Sequence, residues 1–436
     1  MIKNIQIANY KSIDTLEFEL GRINVLIGEN GAGKSNILEA IALAGAAAAN
    51  KLDNEFLISR GIRVTEEPEY MRPAFPGFEP TLEIFMSLTS ILGEIFSFRL
   101  NNDNKTYSKW NLQFSKGNIK TSIKNYMNSV TSTLNNIDKS ELVYDDKIKN
   151  KLTTDNKLIQ IIYQMLDSKR GSEELSRKLE SEINITFDQN SNTANSILVN
   201  TLLNQNKNLK LQFSGKIDSF VIYSPENSAL RTFQRGGQIE PLGINGEGLL
   251  KLLFVLSRAE YSDSLNEIKQ SLQILDWFED LTLTDTGPFA GSRMEIKDRY
   301  LDETRRYFDQ LSTNEGFLFL LFYFALFSTD LTPTFFAIDN IDASLNPKLC
   351  EKLMRELVAL AEKHDKQVIF TTHNPAILDG LNLDDDEQRL FVVSRNKNGS
   401  TRLKRVNKPV KPSGERPTRL SELFLRGVLG GLPKGF

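Results

Sequence analysis

Apolar and polar positions along this chain of 436 residues fall into two periods. Short strand-type runs come first, at residues 2–7 (IKNIQI), residues 16–20 (LEFEL) and Ile23 to Ile27. More follow at Leu82 to Leu88 and at Ile95 to Leu100, where FSFRL alternates cleanly. The second half carries Phe220 to Tyr223, Thr334 to Ile338, Gln367 to Thr371 and Arg389 to Ser394. Between these the period lengthens. A helix is predicted from Lys34, with Ile37, Leu38, Ile41 and Leu43 apolar, running through AGAAAANKL to about Asp53. A glycine-started helix is predicted in PLGINGEGLLKLLFVLS, then a longer helical tract to about Leu281, and another helix in PKLCEKLMRELVALAEKH. NEFLISRGIRVTEEPEYMRPAF reads as irregular surface, and Met294 to Leu311 as a polar connecting segment. Strands alternating with helices predict an α/β sheet whose working edge is at the strand C-termini.

The pattern breaks after Leu100. From Asn101 to about Lys216 the chain is rich in Asn, Lys, Ser and Thr, with helical patches but no sustained heptad. It reads as an inserted, mainly helical polar arm, or as a segment partly disordered at its flanks. The expected organisation is a globular unit split into residues 1–100 and 217–400, the arm at 101–216, and a basic tail at 401–436.

Composition narrows the class. Hydrophobic content of 40%, charged content of 25% and a net charge of −3 are those of an ordinary globular protein without a global basic field. The single cysteine, Cys350, forms no internal disulfide and fits a reducing cytoplasm. With His364 and His373 as the only histidines beside that one cysteine, a structural zinc cluster is not expected. The N-terminus lacks an apolar core of signal-peptide length. Phe317 to Phe327, the greasiest run, is shorter than the roughly 20 residues of a spanning helix and reads as a buried one. No membrane association is expected.

The candidate chemistry centres on Ile23 to Glu39, INVLIGENGAGKSNILE. Gly28, Gly33, Lys34 and Ser35 meet the spacing G-x-x-x-x-G-K-S, between a strand and a helix. Glycines let backbone N–H groups close around a β-phosphate, and the helix turns its positive end to it. Asn30, Gly31 and Asn36 belong to the same cradle. Lys34 supplies a point charge for β/γ-phosphates, and Ser35 is placed to ligate Mg²⁺. A nucleoside triphosphate is the expected ligand. Farther on, TFFAIDNIDASLNP is an apolar strand ending in Asp339, where a Mg²⁺-holding acid sits in phosphate-loop enzymes. QVIFTTHNP runs out into His373, able to hydrogen-bond a γ-phosphate or an attacking water, or to serve structurally. Ser312 and Glu315 form a capping box that marks a helix start at Ser312, and a capped, glycine-containing tip is also an anion site.

NYKSI, GENGAGKS, the tip STNEG, AIDNIDASLNP and TTHNP together resemble the ATP-binding-cassette ATPases, in their soluble SMC/RecF/OLD-like branch. The resemblance spares the arm. It implies two heads dimerising head to tail, with each ATP between one head's phosphate loop and the other's signature helix. It assigns Lys34 and Ser35 to phosphate and Mg²⁺, Asp339 to the metal, and His373 to the switch histidine. Ser312, Asn314 and Gly316 would reach the partner's γ-phosphate, and Lys11 and Ser12 match a position that often touches nucleotide. SRGIR, PLGINGEGLLKLL and LRGVLGGLP further resemble stand-alone ATPases of bacterial anti-phage defence loci.

One residue departs from the pattern. The family's glutamate after the metal-binding Asp is here Asn340, which cannot act as a general base near neutral pH. Assistance of about 10²–10⁴-fold should be missing, unless Asp342 is brought round to replace it. Slow hydrolysis and a long-lived ATP dimer are expected. About 40 residues follow the last strand, too few for the nuclease domain of OLD-type proteins, so a separate effector, a nuclease, is implied. Arg395 to Arg419 holds nine Lys/Arg against Glu415 alone, a footprint for a DNA or RNA backbone or a solvated arm. Asp384 to Glu387 reads as a solvated acidic loop. The leading expectation is a cytoplasmic ATPase regulating that effector in anti-phage defence. Its rivals are a RecF/SMC-like DNA clamp and an ATP-sensing scaffold without turnover.

Overall fold

The computed structural model describes residues 1–65, 67–75, 83–105, 108–118, 217–232, 240–285, 292–302, 307–407 and 419–431. Nearly all of the expected polar arm, and part of the expected basic tail, lie outside these. Contacts divide the chain into two units. One comprises Met1–Ile91, Ser97–Gln113 and Leu211–Phe436, the other Leu92–Phe96 and Phe114–Lys210. In the described part of the second, Lys116 pairs with Glu94 at 3.0 Å and lies over the Phe96 ring.

The first unit opens with β1 (Ile2–Tyr10), β2 (Ile13–Glu19) and β3 (Ile23–Ile27). The turn between β1 and β2 sets Lys11 at a φ of 46°. Helix α1 (Lys34–Ala48) ends earlier than the alanine run suggests, and α2 (Asn54–Ser59) follows, capped by Asp53. The segment read as irregular therefore holds a helix, too short for its period to show. Strands β4 (Glu83–Ser90), β5 (Glu94–Asn101) and β6 (Asn111–Asn118) complete a sheet of order β2-β1-β4-β5-β6. The last of these strands lies beyond Asn101, where the expected arm begins.

After β7 (Ile222–Tyr223) come α3 (Asn227–Leu230), α4 (Leu249–Leu256) and α5 (Ser262–Ser271). The helical tract expected to reach Leu281 stops there. Strands β8 (Phe278–Asp285), β9 (Ser292–Asp298) and β10 (Tyr307–Asp309) form an antiparallel sheet in place of the expected polar connection. Met294 and Ile296 are buried by alternation, but charged outward residues hid a period of two.

Helix α6 (Glu315–Phe327) buries every residue from Phe317 on, as its apolar run predicts. Its aromatic rings anchor the core, with Phe322 at 5.7 Å from Tyr223 and Phe327 at 5.2 Å from Phe336. Strand β11 (Phe335–Ile338), α7 (Pro347–Lys363) and β12 (Gln367–Thr372) follow. Asn346 caps α7 and Pro347 opens it; Cys350, Leu353, Met354, Leu357, Leu360 and Ala361 form its buried stripe. Then come β13 (Gln388–Arg395), β14 (Thr401–Val406) and α8 (Leu420–Leu425). The expected basic tail thus contains an edge strand, antiparallel to β13, and a docked helix. Lys and Arg on such an edge are a common guard against further pairing, and they disguise it as tail.

The second sheet has the order β14-β13-β3-β12-β11-β7 and is parallel except for β14. Strand β3 is central, with β12 and β13 beside it. Helix α1 packs against β1 and β4 of one sheet and β7 and β12 of the other, which is why it is built of alanines. A Cβ at Gly45 would stand 2.6 Å from the Ile217 carbonyl. Gln367, nearly fully buried, ties the sheets together, donating to the Ile2 and Gly21 carbonyls and accepting from Ile2 N. The C-terminal ends of β3, β11 and β12 thereby deliver Gly28, Asp339 and His373 to one edge.

Candidate functional site

The loop Gly28–Gly33 joins a fully buried strand to a helix whose start no side chain caps. The first-turn N–H groups of α1 are orphan donors of the kind that bind phosphate. Gly33 takes a φ of 109°, and a Cβ there would stand 2.1 Å from Thr401 Oγ1. A Cβ at Gly28 would stand 2.2 Å from the Val393 carbonyl. The two motif glycines are thus fixed by close approach of β13 and β14. Asn30 and Gly31 form the exposed lip, where Arg395 Nε donates to the Gly31 carbonyl at 2.7 Å.

Lys34 Nζ lies back in the loop, donating to the carbonyls of Gly28 at 2.8 Å and Glu29 at 3.1 Å. Burial lowers its pKa, against the fields of Asp339, Asp342 and Glu29. The next residue looks across the sheet: Ser35 Oγ donates to Asp339 Oδ2 at 3.2 Å. The other oxygen of Asp339 accepts from Thr371 Oγ1 on β12, and Thr371 Oγ1 in turn accepts from Asn340 N at 2.9 Å. A hydroxyl and a carboxylate held together at the loop are the hard oxygen donors Mg²⁺ takes, with waters and phosphates completing its shell. The residues present fit both a nucleoside triphosphate and its cation. Among the described residues no cluster of three or more His, Cys, Asp or Glu offers a metal site made of protein alone.

Asn340 is exposed, in left-handed conformation with φ of 57°. That geometry is easier for Asn than for most residues. Asp342 is brought back to the edge, where Thr372 Oγ1 donates to it at 2.5 Å. Its charge reaches both Lys34 and His373. His373 stands at the rim. Desolvation first, then the Lys34 ammonium, lower its pKa, opposed by Asp342 and Asp339.

On the opposite flank of α1, Asn36 Nδ2 donates to Ser12 Oγ at 2.6 Å, and Ser12 bonds Thr401 at 2.7 Å. Lys11 is engaged otherwise. Its Nζ lies 2.5 Å from Glu39 Oε2 and donates to the Arg63 carbonyl at 2.8 Å. Glu39, 1% exposed, also accepts from Arg63 Nε at 2.5 Å and Tyr10 OH at 3.2 Å. Arg63 Nη2 reaches Asn36 Oδ1 at 3.1 Å. Glu39 and Arg63 escaped the sequence reading. Arg63 lay in a stretch read as loop, and Glu39 looked like one polar residue on a helix face.

The tip before α6 is a separate construction. Asn314, not Ser312, caps the helix, accepting from Phe317 N at 2.8 Å. Ser312 instead closes the turn after β10, its N and Oγ donating to Asp309 Oδ1 at 2.9 and 2.8 Å. The capping-box spacing misled because Asn314 competes for the same role one residue before Glu315. Ser312 and Asn314 face solvent. Arg231 holds the preceding loop, donating to the carbonyls of Gln310 (2.8 Å), Leu311 (2.6 Å) and Thr313 (2.8 Å). Gly316 lies against Ser344, whose carbonyl would be 3.2 Å from an added Cβ. Among the described residues no hydrogen bond joins Ser312, Asn314 or Gly316 to the phosphate loop of the same chain.

The chain is similar over 67 residues, at 43% identity, to an uncharacterised protein of Methanocaldococcus jannaschii. That stretch is 14% of this chain and 31% of the relative, so the chain spans about a third of that protein's length. Among solved structures it is similar to an SMC head bound to the C-winged helix domain of ScpA, with a TM-score of 0.52 and 12% identity. The superposition covers 93% of this chain and 98% of that one. An SMC head domain from Thermotoga maritima gives a TM-score of 0.45 and 13% identity, covering 93% and 99%. The first of these likenesses shows the fold alone, that of an SMC head domain. Residues 23–379 match one family throughout, and the chain belongs to it: AAA_21, described as "AAA domain, putative AbiEii toxin, Type IV TA system".

Proposed function

We propose that this ATPase binds Mg²⁺-ATP at Gly28–Asn36, closes on ATP into a head-to-tail pair, and hydrolyses it slowly. The observation that carries the reading is the contrast between α6 and the tip before it. A helix buried from Phe317 to Phe327 is preceded by a polar tip, Ser312 and its cap Asn314, exposed and, among the described residues, hydrogen-bonded only within its own turn and cap. The phosphate loop and Asp339 supply half of a triphosphate site, and such a tip from a second copy would supply the other half.

In that arrangement Lys34 exchanges the Gly28 and Glu29 carbonyls for phosphate oxygens, and Ser35 with Asp339 would hold the cation. Mg²⁺ would neutralise charge developing on the phosphates. Ser12, through Asn36, fixes the outer wall of the loop. Lys11 serves through Glu39. His373, whose pKa burial and the Lys34 ammonium lower, would hydrogen-bond a γ-phosphate or the attacking water. With Asn340 after Asp339, water activation falls to whatever Asp342 or His373 provides, so ATP acts as clamp more than fuel.

The wider role in this proposal is regulation of a separate effector, a nuclease, in cytoplasmic anti-phage defence. The motif resemblance supports it, and a solved head of similar fold is itself bound to a partner's winged-helix domain. No described helix is long and apolar enough to cross a membrane. Nucleic-acid contact through the basic segment has less behind it. Arg395 is bonded to Gly31, and Arg405 is bonded to Asp386. Comparing stoichiometric ATP binding with steady-state phosphate release tests the proposal. Tight binding with slow release supports it, and rapid release without a dimer refutes it.

A further inference from the structure

The outer side of the phosphate loop rests on the hairpin of β13 and β14. Arg395 and Thr401 are the last register pair of that hairpin. Asn396 closes the turn between them: its N donates to the Ser400 carbonyl at 2.9 Å, and its Oδ1 accepts from Asn398 N and Ser400 N, each at 2.9 Å. From this frame two donors reach two successive carbonyls of the phosphate loop. Arg395 Nε donates to the Gly31 carbonyl at 2.7 Å, while its Nη1 is tied to the Gly399 carbonyl at 3.1 Å. Thr401 Oγ1 donates to the Ala32 carbonyl at 3.1 Å. Thr401 has one hydroxyl proton, so with Ala32 it must accept from Ser12 Oγ, 2.7 Å away, and Ser12 Oγ accepts from Asn36 Nδ2 at 2.6 Å. Arg63 Nη2 starts the chain at Asn36 Oδ1, at 3.1 Å. All four bonds run one way, toward the Ala32 carbonyl, and such chains strengthen their members. Ser12, Ala32 and Thr401 are buried, so the end of the chain is nearly dry.

We infer that Arg395 and Thr401 are positioning residues for the β-phosphate, acting through the peptide groups of the loop without touching nucleotide. The inference rests on the reading of Gly28–Asn36 as the phosphate site, and on nothing about a second copy. A trans peptide is planar, with its C=O and N–H on opposite sides. Holding the Gly31 and Ala32 carbonyls outward therefore turns the N–H groups of Ala32 and Gly33 inward. The free protein shows part of this arrangement. Ala32 N donates to the Glu29 carbonyl at 3.3 Å and Lys34 Nζ donates to the same oxygen at 3.1 Å, so two donors of the cradle already converge on one point. Gly33 is what lets the hairpin come so close, since a Cβ there would stand 2.1 Å from Thr401 Oγ1. A β-phosphate is held alike before and during transfer of the γ-phosphoryl group. Loss of either donor should then raise KM and leave kcat nearly unchanged. A general loss of fold would do the reverse, lowering the active fraction at unchanged KM.

The test uses the full chain, with ADP and ATP as probes in calorimetry and ATP in steady-state phosphate release. Thr401→Val leaves a buried carbonyl and a buried hydroxyl without their partner, and should weaken ADP and ATP alike by about tenfold. Arg395→Gln breaks an exposed bond and should weaken both by about threefold. Each should raise KM by the same factor and keep kcat within about twofold of the unaltered chain. Thr401→Ser keeps the hydroxyl and should restore binding. Lys397→Gln takes a charge from the exposed turn of the same hairpin and should bind as the unaltered chain does. If Thr401→Val also binds normally, or Arg395→Gln loses no more than Lys397→Gln, or kcat falls at unchanged KM, the hairpin does not position the loop while the phosphate site stands. If Lys34→Ala binds nucleotide as tightly as the unaltered chain, the reading of the loop itself is wrong and the positioning falls with it.

Discussion

The Ser35 hydroxyl and the Asp339 carboxylate, 304 positions apart in sequence, stand 3.2 Å apart at the edge of the parallel sheet. Strand β12 lies between β3, which leads through the loop to Ser35 at the start of α1, and β11, which leads into Asp339, and its Thr371 steadies Asp339. Asp339→Asn should leave the fold intact and remove the stabilisation a cation lends to developing phosphate charge. Several kcal/mol of such stabilisation correspond to a loss of about 10²-fold or more in turnover. Ser35→Ala should weaken ATP binding with Mg²⁺ and change it little in EDTA. Steady-state phosphate release checks the first, and titration with a fluorescent ATP analogue, with and without Mg²⁺, checks the second.

Asn340 occupies left-handed backbone, so restoring a glutamate there is not free of strain. Asn340→Glu should lower stability by about 1 kcal/mol, the scale of the left-handed penalty for residues other than Gly, Asn and Asp. Asn340→Asp should cost less. If the missing acid limits turnover, Asn340→Glu accelerates phosphate release, by up to about 10²–10⁴-fold. If Asp342 already does this work, Asn340→Glu changes little and Asp342→Asn abolishes release. Single-turnover hydrolysis with both variants decides between these.

His373 has a pKa below the ordinary histidine value, from desolvation and the Lys34 ammonium. The unfolded chain therefore binds the proton more readily. The stability this group contributes is complete above the unfolded pKa of about 6.5, and is lost as pH falls from there through the folded value. Thermal melts of the free protein between about pH 7.5 and pH 5.5 should show a decline that His373→Gln makes shallower. A His373→Gln protein with the same slope would contradict this.

Glu39 holds two cations, Lys11 and Arg63, in a nearly dry setting. Glu39→Gln keeps the shape and leaves Lys11, largely buried, without its counter-ion. Removing one partner of a buried pair costs on the order of 3–5 kcal/mol. The Arg63 arm adds little because that side chain is 68% exposed. A loss of roughly 2–4 kcal/mol in urea unfolding is expected, since Lys11 keeps the Arg63 carbonyl and some water. Lys11→Met with Glu39→Gln should recover part of it.

Much of the centre of this molecule was legible beforehand, for physical reasons. A central parallel strand is buried on both faces, so Ile23–Ile27, Phe335–Ile338 and Gln367–Thr372 read as continuous apolar runs ending in Gly28, Asp339 and His373. The periphery was less so. Strands β8, β9 and β14 carry charges on their outer faces, which looked like a helical tract, a polar connection and a basic tail. Ser312 was placed at a cap that Asn314 fills. The ring of Tyr10, Lys11, Glu39 and Arg63 joins three separated segments, a relation no local period reports. The Arg231 clamp on the Gln310–Thr313 carbonyls is equally non-local.

The central claim is that ATP joins two copies through the tip at Ser312. Sedimentation of the full chain with Mg²⁺-ATP, Mg²⁺-ADP and no nucleotide, for wild type and Ser312→Arg, tests it most directly. The account predicts a doubled mass with ATP alone, and a monomer that still binds ATP when residue 312 is arginine. Saturating ATP on a chain that stays monomeric, or a Ser312→Arg protein that pairs as well as wild type, would contradict it.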